Sequence, residues 1–311
     1  MAKAQTYKKM SFGRALVRYK WLYIMLIPML AFYLIFKFYP ATYLIIAFQD
    51  YWPTTGIAGS EWVGWANFQK IFKGTATFSF WQLFSNTLIL AIYNLLFYFP
   101  IPIILALLLN EVRHLGYKKI VQSFVYLPHF LSWSVIIGLV YVFLGSNGYV
   151  NKLLTQAGRA NIAPLMDPNW FRPLIVMEVI WKEAGWGTII YLAALSGVDE
   201  QLYEAAVVDG ANRWKQLLHI TFPAIRGTII TLFILRMGTF MDTGFEQIFL
   251  MSNTKNRSLS QVFDTYIYDQ GIKKAHYSFS TALGIFKSVI SLILVITTNK
   301  IANWVGEEGV Y

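Results

Sequence analysis

Residues 83–109 read LFSNTLILAIYNLLFYFPIPIILALLL, with no charged side chain anywhere in the run. A helix needs about 20 mostly apolar residues to cross the hydrocarbon of a bilayer, and this stretch exceeds that length. Only helices and closed barrels satisfy their own backbone in lipid, and barrel strands are short segments of alternating polarity. The run is too long and too continuous for such strands, so it reads as a membrane helix. Five further blocks follow the same logic. They run from Trp21 to Phe48 (charged only at Lys37), Ile120 to Gly145 (carrying His129), and Leu174 to Ser196 (interrupted by Glu178, Lys182 and Glu183). The last two are Gly227 to Met251, with Arg236, Asp242 and Glu246, and Phe279 to Thr298, with Lys287. The expected fold class is all-α integral membrane with six transmembrane helices.

Composition agrees with that reading. Of 311 residues, 56% are hydrophobic, 17% aromatic and 14% charged, against about 25% charged in an ordinary soluble domain. A soluble monomer of this size would expose large sticky patches. The absence of cysteine excludes disulfides, thiolate metal sites and thiol nucleophiles. The net charge of +10 does not point to nucleic acid, because the basic residues flank the apolar blocks rather than forming one tract.

Orientation follows from Lys and Arg placement. Lys3, Lys8, Lys9, Arg14, Arg18 and Lys20 precede the first span, whereas the connection 49–80 has only Lys70 and Lys73. The positive-inside rule therefore places both termini and the connections 110–119 and 197–226 in the cytoplasm. Connections 49–80, 146–173 and 252–278 face outward. Apolar character continues through Tyr39, Pro40 and Ala41 to Phe48, well past a signal-peptide core, so the first block reads as an uncleaved helix. Residues 1–20 form a cytoplasmic N-terminal segment. Within it, Met10 to Tyr19 reads either as an interfacial helix or as a solvated basic tail. The membrane domain covers 21–305 and a short tail 306–311. Pro100 and Pro102 predict an irregular turn or hinge.

The connection Ser196 to Pro223 differs in character from everything around it: SGVDEQLYEAAVVDGANRWKQLLHITFP. Asp199 is a good N-cap, and Glu200 and Glu204 suit the positive end of a helix dipole. Leu202, Ala205, Ala206 and Val208 supply a small apolar face. Gly210 is placed to end the helix in the left-handed conformation. A second short helix is expected over Asn212 to Ile220, ended by Pro223. Two short helices joined by a glycine make a compact cytoplasmic knob, fused to the fourth and fifth spans. Ala205 and Ala206 allow close approach of another protein, with Glu204, Asp209 and Arg213 as polar anchors at its edge.

Glu204-Ala205-Ala206, Gly210, Ile220 and Pro223, at these spacings, resemble the EAA signature of ABC-importer permeases. Phe222 stands where leucine is usual. Asp209-Gly210-Ala211 matches a common extension of that signature. Val63-Gly64-Trp65-Ala66-Asn67-Phe68 resembles an element of carbohydrate permeases of the maltose-transporter type. Ile45 to Tyr51 and Tyr126-Leu127-Pro128 are similar to the polysaccharide (LplB-like) subgroup. The resemblance covers roughly residues 20–305. It implies the type I importer permease fold, half of a translocation pore completed by a second, related permease in the membrane of a prokaryotic cell. It also implies two cytoplasmic ATPase subunits that hold the ATP and Mg, and an extracellular or periplasmic sugar-binding protein that delivers an oligosaccharide. The knob, with Glu204, Ala205, Ala206, Asp209, Gly210, Ala211, Arg213, Ile220 and Pro223, would be the coupling helix. The sequence has no G-x-x-x-x-G-K-[ST] loop, so this chain is expected to be no enzyme and to carry no cofactor of its own.

Ionisable residues within spans usually face a bundle interior or a wet cavity. Glu178, Lys182, Arg236, Asp242 and Glu246, interleaved with Trp181, Trp186, Tyr191, Phe240 and Phe245, are candidates for a solute path. Carboxylates and Arg hydrogen-bond sugar hydroxyls, while aromatic faces cover sugar rings. Glu178 and Lys182, at i,i+4, read equally as a structural ion pair. Asp242 and Glu246 are like-signed at i,i+4 and need a cation, from Arg236 or the partner permease. Lys37 and Lys287 are expected to snorkel to an interface. The four histidines show no metal-ligand spacing. The rival functions are an ion-coupled secondary transporter using Glu178, Asp242 and Glu246, and a membrane enzyme using Asp242 and Glu246 as acid and base.

Overall fold

The computed structural model describes residues 12–74, 79–307 and 309–310. Lys3, Lys8 and Lys9, the start of the amphipathic N-terminal stretch at Met10, and two tail positions lie outside the described residues. Five helical stretches are long and apolar enough to cross a membrane: Lys20–Phe48, Phe80–Glu111, Trp133–Gln156, Arg213–Gly238 and Tyr277–Trp304. A sixth, Pro168–Leu195, has 28 residues. That is about 42 Å at 1.5 Å per residue, although Glu178, Lys182 and Glu183 make it less apolar. A short helix, Phe12–Arg18, leads into the first span through Tyr19.

Two spans depart from their expected form. The block expected over Ile120 to Gly145 is broken: a helix Leu115–Tyr126 gives way to a 3-10 turn, Leu127–Phe130, that contains Pro128. The chain restarts as Trp133–Leu144, with the Ser132 hydroxyl accepting the Val135 amide at 3.3 Å. The block expected over Gly227 to Met251 ends instead at Gly238 and resumes after Gly244 (φ +86°) as a separate helix, Phe245–Met251.

At three prolines the helix widens into a π turn and continues. Tyr39, Phe99 and Phe222 each donate their amide to the residue five before (Leu34, Asn94 and Leu217), and each directly precedes a proline. Proline lacks an amide and crowds the carbonyl four residues back, and a π turn of wider pitch relieves the crowding. Hence Pro100 and Pro102 mark a π turn in a continuous helix. Pro223 likewise does not end the second helix of the knob: it lies in the first turn of Phe222–Gly238, which continues Arg213–Gln216 through the π turn Leu217–Thr221.

The second span is the common pillar. It supplies Leu83 and Ala91 to a cluster with Met237, Phe240, Phe263 and Leu283. Leu90 joins a second cluster with Ile137, Phe171, Ile175 and Ile248. Ala106 joins a third with Tyr191, Leu195 and Ile225. The same helix holds the outer connections by polar contacts. Asn86 donates to the carbonyls of Ser258 and Gln261 at 2.7 and 3.0 Å, and accepts from Arg172 at 3.1 Å. Thr87 accepts the Phe263 amide at 3.0 Å. On the outer side, strands Gln49–Asp50 and Glu61–Trp62 pair antiparallel. Asn67, 2% exposed, donates to the carbonyls of Ala47 and Gln49, both at 3.0 Å. The Val63–Phe68 element is thus a clasp that fixes the outer end of the first span, with Gly64 turning at φ +57°.

Above that clasp the first span stands apart. From Trp21 to Ile45 no residue is buried. Burial begins only at Ile46 and Ala47.

Candidate functional site: the elbow and the charges within the spans

The knob folds as its local sequence dictates. Asp199 accepts the Gln201 amide at 2.9 Å and opens the helix Glu200–Val208. Gly210 stands at φ +72°. Its amide reaches the Val207 carbonyl at 3.0 Å, and the Ala211 amide reaches Ala206 at 2.8 Å. This pair of bonds is the Schellman cap, which needs a residue free to be left-handed. Asn212 then accepts the Lys215 amide at 2.9 Å and starts the next helix. The Tyr203 hydroxyl meets that of Thr221 at 2.9 Å, bracing the first knob helix against the root of the fifth span.

No residue of Glu200–Val208 is buried. Glu204, Ala205 and Asp209 are exposed, Ala206, Ala211 and Ile220 half-buried. Val208 is 87% exposed, Trp214 67% and Val207 63%. Arg213 lies 3.6 Å from Glu111 at the inner end of the second span, both well exposed. A rigid, doubly capped element that displays valine and tryptophan to solvent is unfinished as a surface.

Inside the bundle the charges pair differently from the i,i+4 expectation. Glu178, 5% exposed, accepts from the Gln247 amide at 2.7 Å, and Gln247 also bonds the Ile175 carbonyl at 2.8 Å. Lys182 does not pair with Glu178. Its ammonium donates to the carbonyls of His129 and Leu131, both at 2.7 Å, and sits 3.6 Å from Glu183. Those carbonyls belong to the break in the third span, where Leu131 turns extended and the Val135 amide goes to the Ser132 hydroxyl instead of to the Leu131 carbonyl. The lysine thus caps a broken helix from across the bundle, 5.5 Å above the Trp133 ring. Beside it, His129 donates to Glu183 at 2.8 Å and stacks on Trp186, centroids 4.3 Å apart.

Asp242 and Glu246 do not share a helical face, because the turn at Thr239–Gly244 separates them. Glu246 is exposed. The cation Asp242 requires is Lys287, which also pairs with Asp264. Lys287 therefore does not snorkel to an interface: its side chain is only 14% exposed, held between two carboxylates. Tyr191 and Phe240 are buried in apolar clusters within the chain. Trp181 and Trp186 are about half exposed, Arg236 and Phe245 half-buried. Sequence reasoning missed Asp264 and Gln247 as partners. Gln247 carried a usable signal, a lone amide within an apolar run. Asp264 carried none, since its role depends on a helix packing beside the sixth span.

Comparison with known proteins agrees with this architecture. The chain is 50% identical over 305 residues to Protein LplB of Bacillus subtilis (strain 168), covering 98% of this chain and 95% of that one. It is 48% identical over 297 residues to the polygalacturonan/rhamnogalacturonan transport system permease protein YteP of the same organism, covering 95% and 92%. Among solved structures, a chain of the bacterial alginate ABC transporter in complex with an alginate pentasaccharide-bound periplasmic protein superposes with a TM-score of 0.85 at 39% identity. That match covers 96% of this chain and 99% of the other. The family of binding-protein-dependent transport system inner membrane components matches residues 84–306. A multi-pass helical chain with a doubly capped elbow between its fourth and fifth spans, this protein belongs to that family.

Proposed function

We propose that this chain forms one half of the translocation pore of an ATP-binding-cassette importer for oligosaccharides, in the bacterial cell membrane, and is driven through its elbow 199–223 by a separate ATPase. The observation that carries the reading is the exposed, doubly capped elbow fused to two spans. The chain continues from the fourth span into the elbow through tight turns at Ser196–Val198, and out of it into the fifth span without a break. A push on Glu204–Gly210 is therefore delivered to both helices as a rigid-body rotation, the type of motion that interconverts packed bundles.

Four features support the composition of the complex. The elbow's exposed valines and Trp214 suit a groove in a cytoplasmic partner. The unburied face of the first span suits a second, related permease. Intramembrane charges paired inside this chain leave Trp181, Trp186, Arg236, Phe245 and Glu246 as the first candidates to meet sugar, together with the 55% exposed Asp242 despite its pairing with Lys287. The names of YteP and of the alginate transporter, which concern polysaccharides, favour a saccharide cargo. ATP and Mg would reside in two ATPase subunits, and closure of those subunits would carry the two permease elbows together and open the pore outward.

The test is reconstitution with a second permease, the ATPase and the binding protein. Gly210→Asp forces an acidic side chain into a left-handed position, and Glu204→Lys inverts an anchor. Each is expected to reduce saccharide-stimulated ATP turnover at least tenfold while the complex stays assembled. Turnover that is unchanged in both variants overturns the coupling assignment.

A further inference from the structure

Glu178 and Gln247 tie the fourth span to the helix that follows the break in the fifth, and the hydrogen bonds of the pair do not balance. Glu178 is 5% exposed and Gln247 is fully buried, next to Ile175 and Ile248 of the second apolar cluster. The Gln247 amide uses both of its protons, one on Glu178 Oε2 and the other on the Ile175 carbonyl. Glu178 Oε1 and Gln247 Oε1 are both buried and have no hydrogen-bond partner.

No cation answers the carboxylate either. Among the described residues none lies within 4.0 Å of Glu178. The basic side chains on the elements packed around the pair are engaged elsewhere: Arg172 with Asn86, Lys182 with two carbonyls, His129 with Glu183, and Arg257 with Asp269. Arg236 forms no ion pair with Glu178, and Lys287 is held by Asp242 and Asp264. The other acids on the same two helices, Glu183 and Glu246, would only add negative charge. An ionised carboxylate buried without a cation is so costly that such a group takes up a proton instead.

An ionised Glu178 can only accept hydrogen bonds, which leaves both orphan oxygens without a donor. One proton on Glu178 Oε1 supplies the missing donor. Turned to Gln247 Oε1, it satisfies both oxygens at once, because a carboxylic acid and a primary amide close a ring through two hydrogen bonds.

We propose that Glu178 is carried as a neutral carboxylic acid that donates to Gln247 Oε1, so that acid and amide form an uncharged, two-bond tie across the bundle. Glu178 is thus a positioning residue: through Gln247 it fixes the short helix Phe245–Met251, and with it Phe245 and Glu246, against the fourth span. A tie without charge opens and re-forms in apolar surroundings without stranding an ion, which suits two spans that shift when the elbow turns.

Infrared spectra of the complete permease–ATPase complex in nanodiscs read the protonation state directly, whatever the cargo. At about pH 7, wild type minus Glu178→Gln is expected to show a carboxylic-acid carbonyl band and no carboxylate bands. In the Gln247→Leu background, read against its own Glu178→Gln double variant, the band is expected to rise in frequency as the acid loses its acceptor. Carboxylate bands in the first difference, or an acid band that Gln247→Leu does not raise, overturn the proposal. Turnover supplies a second readout. Glu178→Gln mimics the neutral acid and should keep saccharide-stimulated ATP turnover within about twofold of wild type, whereas Glu178→Leu should lose about tenfold, the scale of one lost hydrogen bond. Equal effects of the two substitutions overturn the positioning role. A complex that no saccharide stimulates removes the importer reading and leaves the infrared result standing.

Discussion

Replacing Lys182 with methionine removes a charge from the bundle at nearly constant side-chain length, and the structure sets the sign of the result. Burying an ammonium is costly, and a sequence-based expectation would have the apolar variant more stable. Here the ammonium supplies donors to the carbonyls of His129 and Leu131 and approaches Glu183. Each carbonyl left without a donor costs about 1–3 kcal/mol, with little water at this depth to replace the lysine. Relief of the ammonium's desolvation offsets part of that sum, so the expected net loss is about 2–4 kcal/mol. At roughly 2–4 °C per kcal/mol for a large domain, the apparent Tm should fall by about 4–16 °C. The assay is thermal unfolding of the detergent-purified chain followed by tryptophan fluorescence. Trp133 and Trp186 flank the site and should report the loosening locally, ahead of global unfolding. An unchanged or raised Tm would refute the idea that Lys182 holds the broken third span together, and would return it to the solute path.

Two further substitutions probe the same frame. A Cβ on Gly185 would overlap the backbone carbonyl oxygen of Val125, where the fourth span crosses Leu115–Tyr126. Gly185→Ala should therefore force the helices apart and cost about 1–3 kcal/mol in the same unfolding assay, whereas Gly284→Ala, with open space around it, should be neutral; equal effects would refute the close crossing. Lys287→Met strands Asp264 and should destabilise by about 2–4 kcal/mol, less than a fully buried break because Asp242 is 55% exposed. Adding Asp264→Asn should recover about half of that loss. A double variant no better than the sum of its singles would show that the triad does not act as a unit.

Much of this protein was legible because the bilayer imposes a strong and local rule. The run 83–109 could be nothing but a span, and its lack of charge is also why it can serve as the pillar for three apolar clusters. The elbow was equally legible, down to Asp199 as cap and Gly210 as stop, because capping is settled within a few residues of chain. The reading of Pro223 as a helix end was wrong for the reverse reason. A π turn at Leu217–Thr221 let the helix continue past the proline, braced by Tyr203 of the first knob helix at Thr221. The charged residues were the least legible. Their spacing along one helix suggested pairs, but in lipid each sought the strongest partner anywhere in the bundle: Glu178 took Gln247, Lys182 took the open carbonyls at Pro128, and Lys287 took Asp242 and Asp264.

The sequence by itself determined the apolar crossings and the elbow with its caps. Each depends on solvent or on contacts a few residues apart. Only the tertiary structure decided where the third and fifth spans break, which cation neutralises which carboxylate, and that the first span has no buried residue from Trp21 to Ile45. Those outcomes depend on groups far apart in the chain, and electrostatic partners in a medium without water are chosen by distance in space rather than by distance in sequence.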